Sequence, residues 1–536
     1  MITPTEHPVF VPRYRPDHGG NDFLGLRAVN TTLMGQCLPG INNVSQYLRP
    51  FSLIAWIFWK FYQLASAAHL KSPTNEQQRI WQEKVDLLFT WSHVLNGVQG
   101  IPGTRAVPPD GGRVPLDFGS WKRKPDSTSL LAAIQYGPPA KSTYGLAFIE
   151  ETESGLLRTA GNGIELAEAL DRCMSGSERK RLLQDIGEAS ATSNEVSALY
   201  QRWSILSPTP RERRAFRSAF YSESGIGDGT RTGARSATVR MILHVLETAK
   251  DSLDEGQVRA AIFHGLMLRR RTSSVPDNLT GSWKRWICLQ VRQAQRLAME
   301  SLLGWVERRL IDSRDRDTRP MVLYINELWG KHRNIVPLQP TVAGVLKKFA
   351  LSDLDDALRH SYEEDDWSIF TLMDRVLEGF NNADDIHVLY ALRILFLCRE
   401  YTKHLSDGGA ADADLNLGGA ERVSLRHWCD TLERCGSLTI PEFLQLVLEQ
   451  HIISQHLSVA ARRYDGGTQR LRISIEEEGM VALVTDALPL RVTPDRLGTA
   501  LSLMSQCDMI DFSDDGYAYS AKHTLLDQGR STRAGA

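Results

Sequence analysis

The sequence lacks the features that usually announce chemistry. No Gly-x-x-x-x-Gly-Lys-Ser/Thr run occurs, and Gly225-x-Gly227-x-Gly229 has neither the lysine nor a preceding strand to cradle phosphates. Nucleotide hydrolysis is therefore not expected. No Gly-x-Ser-x-Gly elbow presents a serine nucleophile. Pro109-Asp110 resembles half of a metal-dependent nuclease motif, yet no acidic-x-Lys strand follows to complete the ion site. His427, Cys429 and Cys435 approach a zinc set but have no fourth close ligand. His451 and His456 are five apart and do not share a helix face as an i, i+4 pair would. Catalytic residues, metal ligands and cofactors are all expected to be none. The seven cysteines are scattered, odd in number and without paired short spacings, which points to reduced thiols in a cytoplasm rather than to a disulfide framework. No charged start leads into an apolar core with a cleavage site, so a signal peptide is not expected. The strongest apolar run, 51–68, is broken by Lys60 and Gln63, and a span needs about 20 mostly apolar residues, so a buried helix rather than a membrane contact is expected. No repeat of fixed period is present.

What is there describes an ordinary globular chain. The 536 residues are 42% hydrophobic and 24% charged, with a formal net charge of -2. Charge is unevenly spread: residues 201–310 hold nineteen Lys plus Arg against ten Asp plus Glu. Such asymmetry predicts a basic face for an acidic partner.

Helical periodicity dominates. The expected fold is mainly α and multidomain, with one or two winged-helix-like modules bearing short β-hairpins. Five segments follow from composition and punctuation: an N-terminal helical domain over 1–100, a loop and wing-like hairpin region over 101–175, a basic helical domain over 176–320, an acidic helical domain over 321–435, and a winged-helix-like domain over 436–536. Within the first, 47–64 gathers Trp56, Phe58, Trp59 and Phe61 into a helix that is apolar nearly all round and should be buried. Residues 99–125 read as a long Gly/Pro-rich loop. Strands at 145–149 and 155–159, after a short helix at 130–135 and before one through Leu166 and Leu170, form a wing-like passage. Residues 406–419 read as a loop.

The terminal segment carries the clearest order. A helix over 441–464 leads to a strand at 471–473 and a helix over 476–488. Thr493-Pro494 then offers a capping hydroxyl and a first-turn proline for a third helix, and 509–520 alternates around Asp514-Asp515-Gly516 as a hairpin. The presumed recognition helix offers Arg491, Arg496, Thr499 and Gln506 for docking. Its wing carries Asp511, Asp514 and Asp515, where phosphate tracking would want cations, so docking of protein ranks ahead of reading DNA.

Arginine supplies the alternative. Arg211, Arg213, Arg214 and Arg217 recur within two turns, and Arg231, Arg235, Arg269, Arg270 and Arg271 lie in or beside polar stretches, a side-chain type suited to phosphate forks on double-stranded DNA. The competing reading pairs this face with the chain's own acidic residues, Asp353 to Asp366.

At the N-terminus, Asp22-x-Leu24-Gly25-Leu26, Leu38-Pro39-Gly40 and then Arg49, Phe51 and Trp56 resemble the opening of uncharacterised bacterial proteins from antiviral defence neighbourhoods. The resemblance covers about 60 residues. It departs at Pro50, where an aromatic would follow the arginine. It implies a cytoplasmic component of a multi-gene defence system working beside ATPase or nuclease subunits encoded elsewhere, and it supplies no catalytic residue. The sequence thus predicts a non-catalytic adaptor that docks protein partners through its terminal module. A sequence-tolerant DNA-binding subunit using the arginines comes second, and a divergent nuclease third.

Overall fold

Apolar residues at three- and four-residue steps make helices, and the computed structural model is accordingly mainly α, with four short two-stranded antiparallel sheets among the described residues. It describes residues 22–70, 72–105, 112–143, 145–174, 182–249, 251–266, 275–312, 316–363, 365–406, 410–464 and 470–520. The chain divides into two compact units, one of residues 1–33 with 284–493 and the other of residues 34–283 with 494–536. The five expected segments are thus distributed over two units, with 436–493 and 494–536 in different ones.

The unit of 34–283 with 494–536 is organised around helix Arg49–Ala67. Phe51 meets Tyr136, Phe148 and Phe216 at ring-centroid distances of 5.1, 5.7 and 5.5 Å. Helix Asn75–Leu95 begins with a complete capping box between Thr74 and Gln77. Its inner face holds the stretch from Phe118 to Leu130 in place. Asp86 pairs with Arg123 at 3.0 Å and accepts from Ser129 and Leu130, while Glu83 accepts the Phe118 amide. These side chains satisfy backbone groups beside the two-residue ladder that Val114–Pro115 forms with Ser190–Ala191. Arg49 is buried, pairs with Glu212 at 2.9 Å, and donates to the carbonyls of Arg202 and Ser207. Trp56 donates to Asp171. The residues that carry the N-terminal resemblance are, in this unit, core clamps.

The unit of 1–33 with 284–493 packs Ile369–Asn381, His387–Leu405 and Leu425–Arg434 with the buried length of helix Asp277–Asp312 that follows Lys284. A continuous helical run from Ile440 to Arg462 contains a π segment, Val447–Ser454. Arginines again tie loops down. Arg292 donates to the carbonyls of Arg422 and Val423, Arg463 pairs with Asp22 at 3.2 Å, and Arg472 pairs with Glu307 at 2.6 Å.

Each unit also uses one histidine as a neutral bridge. His93 contacts the Phe89 carbonyl through Nδ1 at 2.7 Å and accepts the Ile205 amide at Nε2. His456 does the same between the Phe23 carbonyl and the Arg472 amide. This pattern fixes the Nδ1–H tautomer, because Nε2 must accept. Burial accordingly lowers both, His93 to about 4.

Five local expectations need correction. Residues 476–488 do not form a helix: Gly479–Ala482 pairs with Ile473–Glu476 as a hairpin. Gly479 turns there at φ +115°, with the Arg316 carbonyl 2.5 Å from where a Cβ would lie, so close backbone packing dictates the turn. Thr493 caps no helix, since its hydroxyl receives Arg296, and the next helix starts only at Leu497. Residues 130–135 are turns rather than a helix, and Ala410–Leu415 is helical inside the expected loop. The terminal hairpin forms as expected, whereas the earlier one pairs Ile149–Glu151 with Leu157–Thr159, so its first strand lies at 149–151 rather than at 145–149. Among the described residues no helix is long and apolar enough to cross a membrane, and no group of three His, Cys, Asp or Glu is arranged to hold a metal. The seven cysteines are free thiols.

Candidate docking surface

Among the described residues, the arginines expected to face DNA are mostly engaged. Helix Pro210–Phe220 starts at a Thr209–Glu212 capping box and carries four of them. Arg211 pairs with Glu168 at 3.1 Å and Arg213 with Asp508 at 2.8 Å. Arg217 is half-buried beside the Cys507 thiol, which burial pushes up to about 12 against the pull of this cation. Arg214 is exposed. Arg231, at the start of helix Arg231–Thr248, donates to the Thr143 carbonyl. Arg235 is 1% exposed and donates to the carbonyls of Phe220, Ala219 and Pro39 at 2.7, 2.9 and 2.9 Å. A guanidinium so enclosed cannot reach a phosphate without orphaning three acceptors, which removes Arg235 from any nucleic-acid surface. Arg269, Arg270 and Arg271 lie outside the described residues. The acids answering Arg211 and Arg213 are Glu168 and Asp508. The acidic segment is used locally instead, with Asp356 accepting from Ser352 and Asp366 pairing with Arg375.

The presumed recognition helix is closed. In Leu497–Gln506, residues Leu497, Thr499, Ala500, Leu501, Leu503 and Met504 are buried, and no position is exposed. Arg496 takes a left-handed φ of +71° and donates to the Leu38 carbonyl. Gln506 accepts the Leu48 amide and donates to the Gln46 carbonyl. Asp495, 1% exposed, pairs with Arg259 at 2.6 Å. Of the four residues assigned to docking, Arg496, Thr499 and Gln506 therefore serve the fold. Arg491 alone keeps an exposed side chain.

One cluster explains both misreadings. Helix Arg27–Cys37 ends in the carbonyls of Cys37, Leu38 and Pro39, which have no partner within a helix at its C-terminal end. Thr238 donates to Cys37, Arg496 to Leu38 and Arg235 to Pro39. Two cations at the negative end of a helix also suit its macrodipole.

What stays outside is the terminal hairpin, Ile510–Ser513 paired with Gly516–Tyr519 around Asp514-Asp515. Ile510 at its base is 1% exposed, whereas Phe512 is 63% exposed and packs on Tyr517 with ring centroids 4.9 Å apart. Asp511, Asp514 and Asp515 surround it, all exposed. Leu253 seals the second strand, exchanging two 2.9 Å bonds with Tyr517. Gly516, at φ +117°, lets that backbone approach, since a Cβ there would lie 2.6 Å from the Leu253 carbonyl.

A second feature went unread in the sequence. Trp59, Tyr62, Gln63, Ser66 and Ala67 line one stripe of helix Arg49–Ala67 and open onto a groove of about 800 Å³, walled by Thr152, Arg158, Thr159 and Ile164. The helix expected to be buried all round is thus open on one side. Its signal was the polar break at Gln63. Arg158 is held by Glu150. Compared with protein-family models, with curated proteins and with solved structures, the chain matches none.

Proposed function

We propose that this chain is a docking subunit that holds a protein partner at the tip of its terminal hairpin. The setting is a bacterial antiviral defence assembly, as the N-terminal resemblance implies, with ATPase or nuclease chemistry supplied by other subunits. The observation that carries the reading is the contrast inside one short hairpin between a base sealed into the core and a raised aromatic tip. A large apolar ring kept in water forgoes stabilisation of about 1.5–3 kcal/mol that burial would provide. Held rigidly, such a ring is suited to anchor an interface, because little conformational freedom is lost on binding.

Co-expression with the products of neighbouring genes tests this. Phe512→Asp should abolish co-purification of a partner, while Ile134→Asp, at an exposed apolar site elsewhere in the same unit, should leave it intact. Equal retention by both variants would overturn the reading. If the chain instead shifts duplex DNA with a steep salt dependence that Arg214→Glu removes, the DNA-binding alternative replaces it.

A further inference from the structure

We infer that the outer edge of strand Ile510–Ser513 receives an extended, basic segment of the partner as an added strand; this rests on the docking reading above. The argument starts from register. Ser513 pairs with Gly516, Phe512 with Tyr517, Asp511 with Ala518 and Ile510 with Tyr519. Antiparallel pairs alternate between those that exchange hydrogen bonds and those whose amide and carbonyl point outward. Tyr517 is an outward residue, because both its backbone groups bond to Leu253. Its cross-strand partner Phe512 is therefore outward too, on the opposite edge. Among the described residues no strand or isolated bridge covers that edge.

An open edge is a template for another strand, which proteins commonly blunt with lysine or proline. Neither residue occurs between Ile510 and Tyr519. The side chains define what fits. Phe512 and Tyr517 project on one face, so the incoming segment needs an apolar residue beside Phe512. Asp511 projects on the other face, and Asp514 and Asp515 sit at the turn, so the flanking positions call for lysine or arginine. Main-chain bonds provide the affinity and this alternation the specificity, the general logic of strand addition.

The probe is a fluorescent peptide alternating lysine and valine, with a glutamate–valine counterpart, titrated against the full chain. The lysine peptide should bind at least about tenfold tighter than its counterpart, a difference of about 1.4 kcal/mol. It should also slow hydrogen exchange at the Phe512 amide. Phe512→Pro, which removes that amide at an edge position where proline is tolerated, should lose binding, while Phe512→Tyr keeps it. Circular dichroism confirms that both variants fold. Binding with unchanged exchange at Phe512, or unaffected by Phe512→Pro, would overturn the edge assignment. So would a dimer in sedimentation that Phe512→Pro dissociates, since a second copy would then be the occupant. Failure of both peptides, while Phe512→Asp still abolishes co-purification, sinks the strand and spares the docking reading. Insensitivity of co-purification to Phe512→Asp sinks the docking reading itself.

Discussion

Helix Leu497–Gln506 and the hairpin that follows it are neighbours in sequence with opposite fates. The helix buries its leucines and spends its polar groups on Gln46 and Leu48. The hairpin anchors its base on Leu253 and leaves Phe512 in water. Residue type alone does not separate them: the helix carries polar side chains that look available, and the hairpin carries an aromatic that looks like core. What separates them is whether backbone groups elsewhere need those side chains.

The largest expected effect sharpens this contrast. Leu501→Ala should cost about 2–5 kcal/mol in denaturant unfolding, whereas Phe512→Ala should stay within about 0.5 kcal/mol. Similar costs for both would erase the distinction. Next, Arg235→Met should destabilise by about 2–4 kcal/mol through its orphaned carbonyls, while exposed Arg214→Ala should be nearly neutral.

Acid should act on the closed part. His93 is held at about 4 in the fold against an ordinary value of 6.5, so the unfolded chain binds the extra proton first. Its contribution is complete above pH 6.5, declines as pH falls, and is gone below about 4, a loss of about 3 kcal/mol. His93→Gln should flatten that part of the stability profile in pH-dependent unfolding. The smallest effect is local. Gly516→Ala should cost about 1–3 kcal/mol and speed amide exchange at Leu253 and Tyr517, loosening the hairpin while leaving helix Leu497–Gln506 protected.

Much of the architecture could be read from the sequence. The aromatic helix after Pro50 and the turn at Asp514-Asp515-Gly516 announce themselves through local spacing. Helix Asn75–Leu95 was legible too, through its Thr74-x-x-Gln77 box, but went unread. The 476–488 segment misleads because Met480, Val481 and Leu483 suit either period, and the deciding contact is a carbonyl at Arg316. Arg235 and Arg496 mislead more deeply. A surface arginine and a buried helix-end clamp are spelled the same way, and their acceptors, Pro39 and Leu38, lie 196 and 458 residues distant along the chain.

That separation has a consequence for synthesis. The unit that begins at residue 34 receives one of its buried helices only when residues 497–506 arrive. On the ribosome, the amide of Leu48 and the carbonyl of Leu38 must each wait for 458 further residues before Gln506 and Arg496 can meet them. Long-range closure of this kind slows folding until helix Leu497–Gln506 seats.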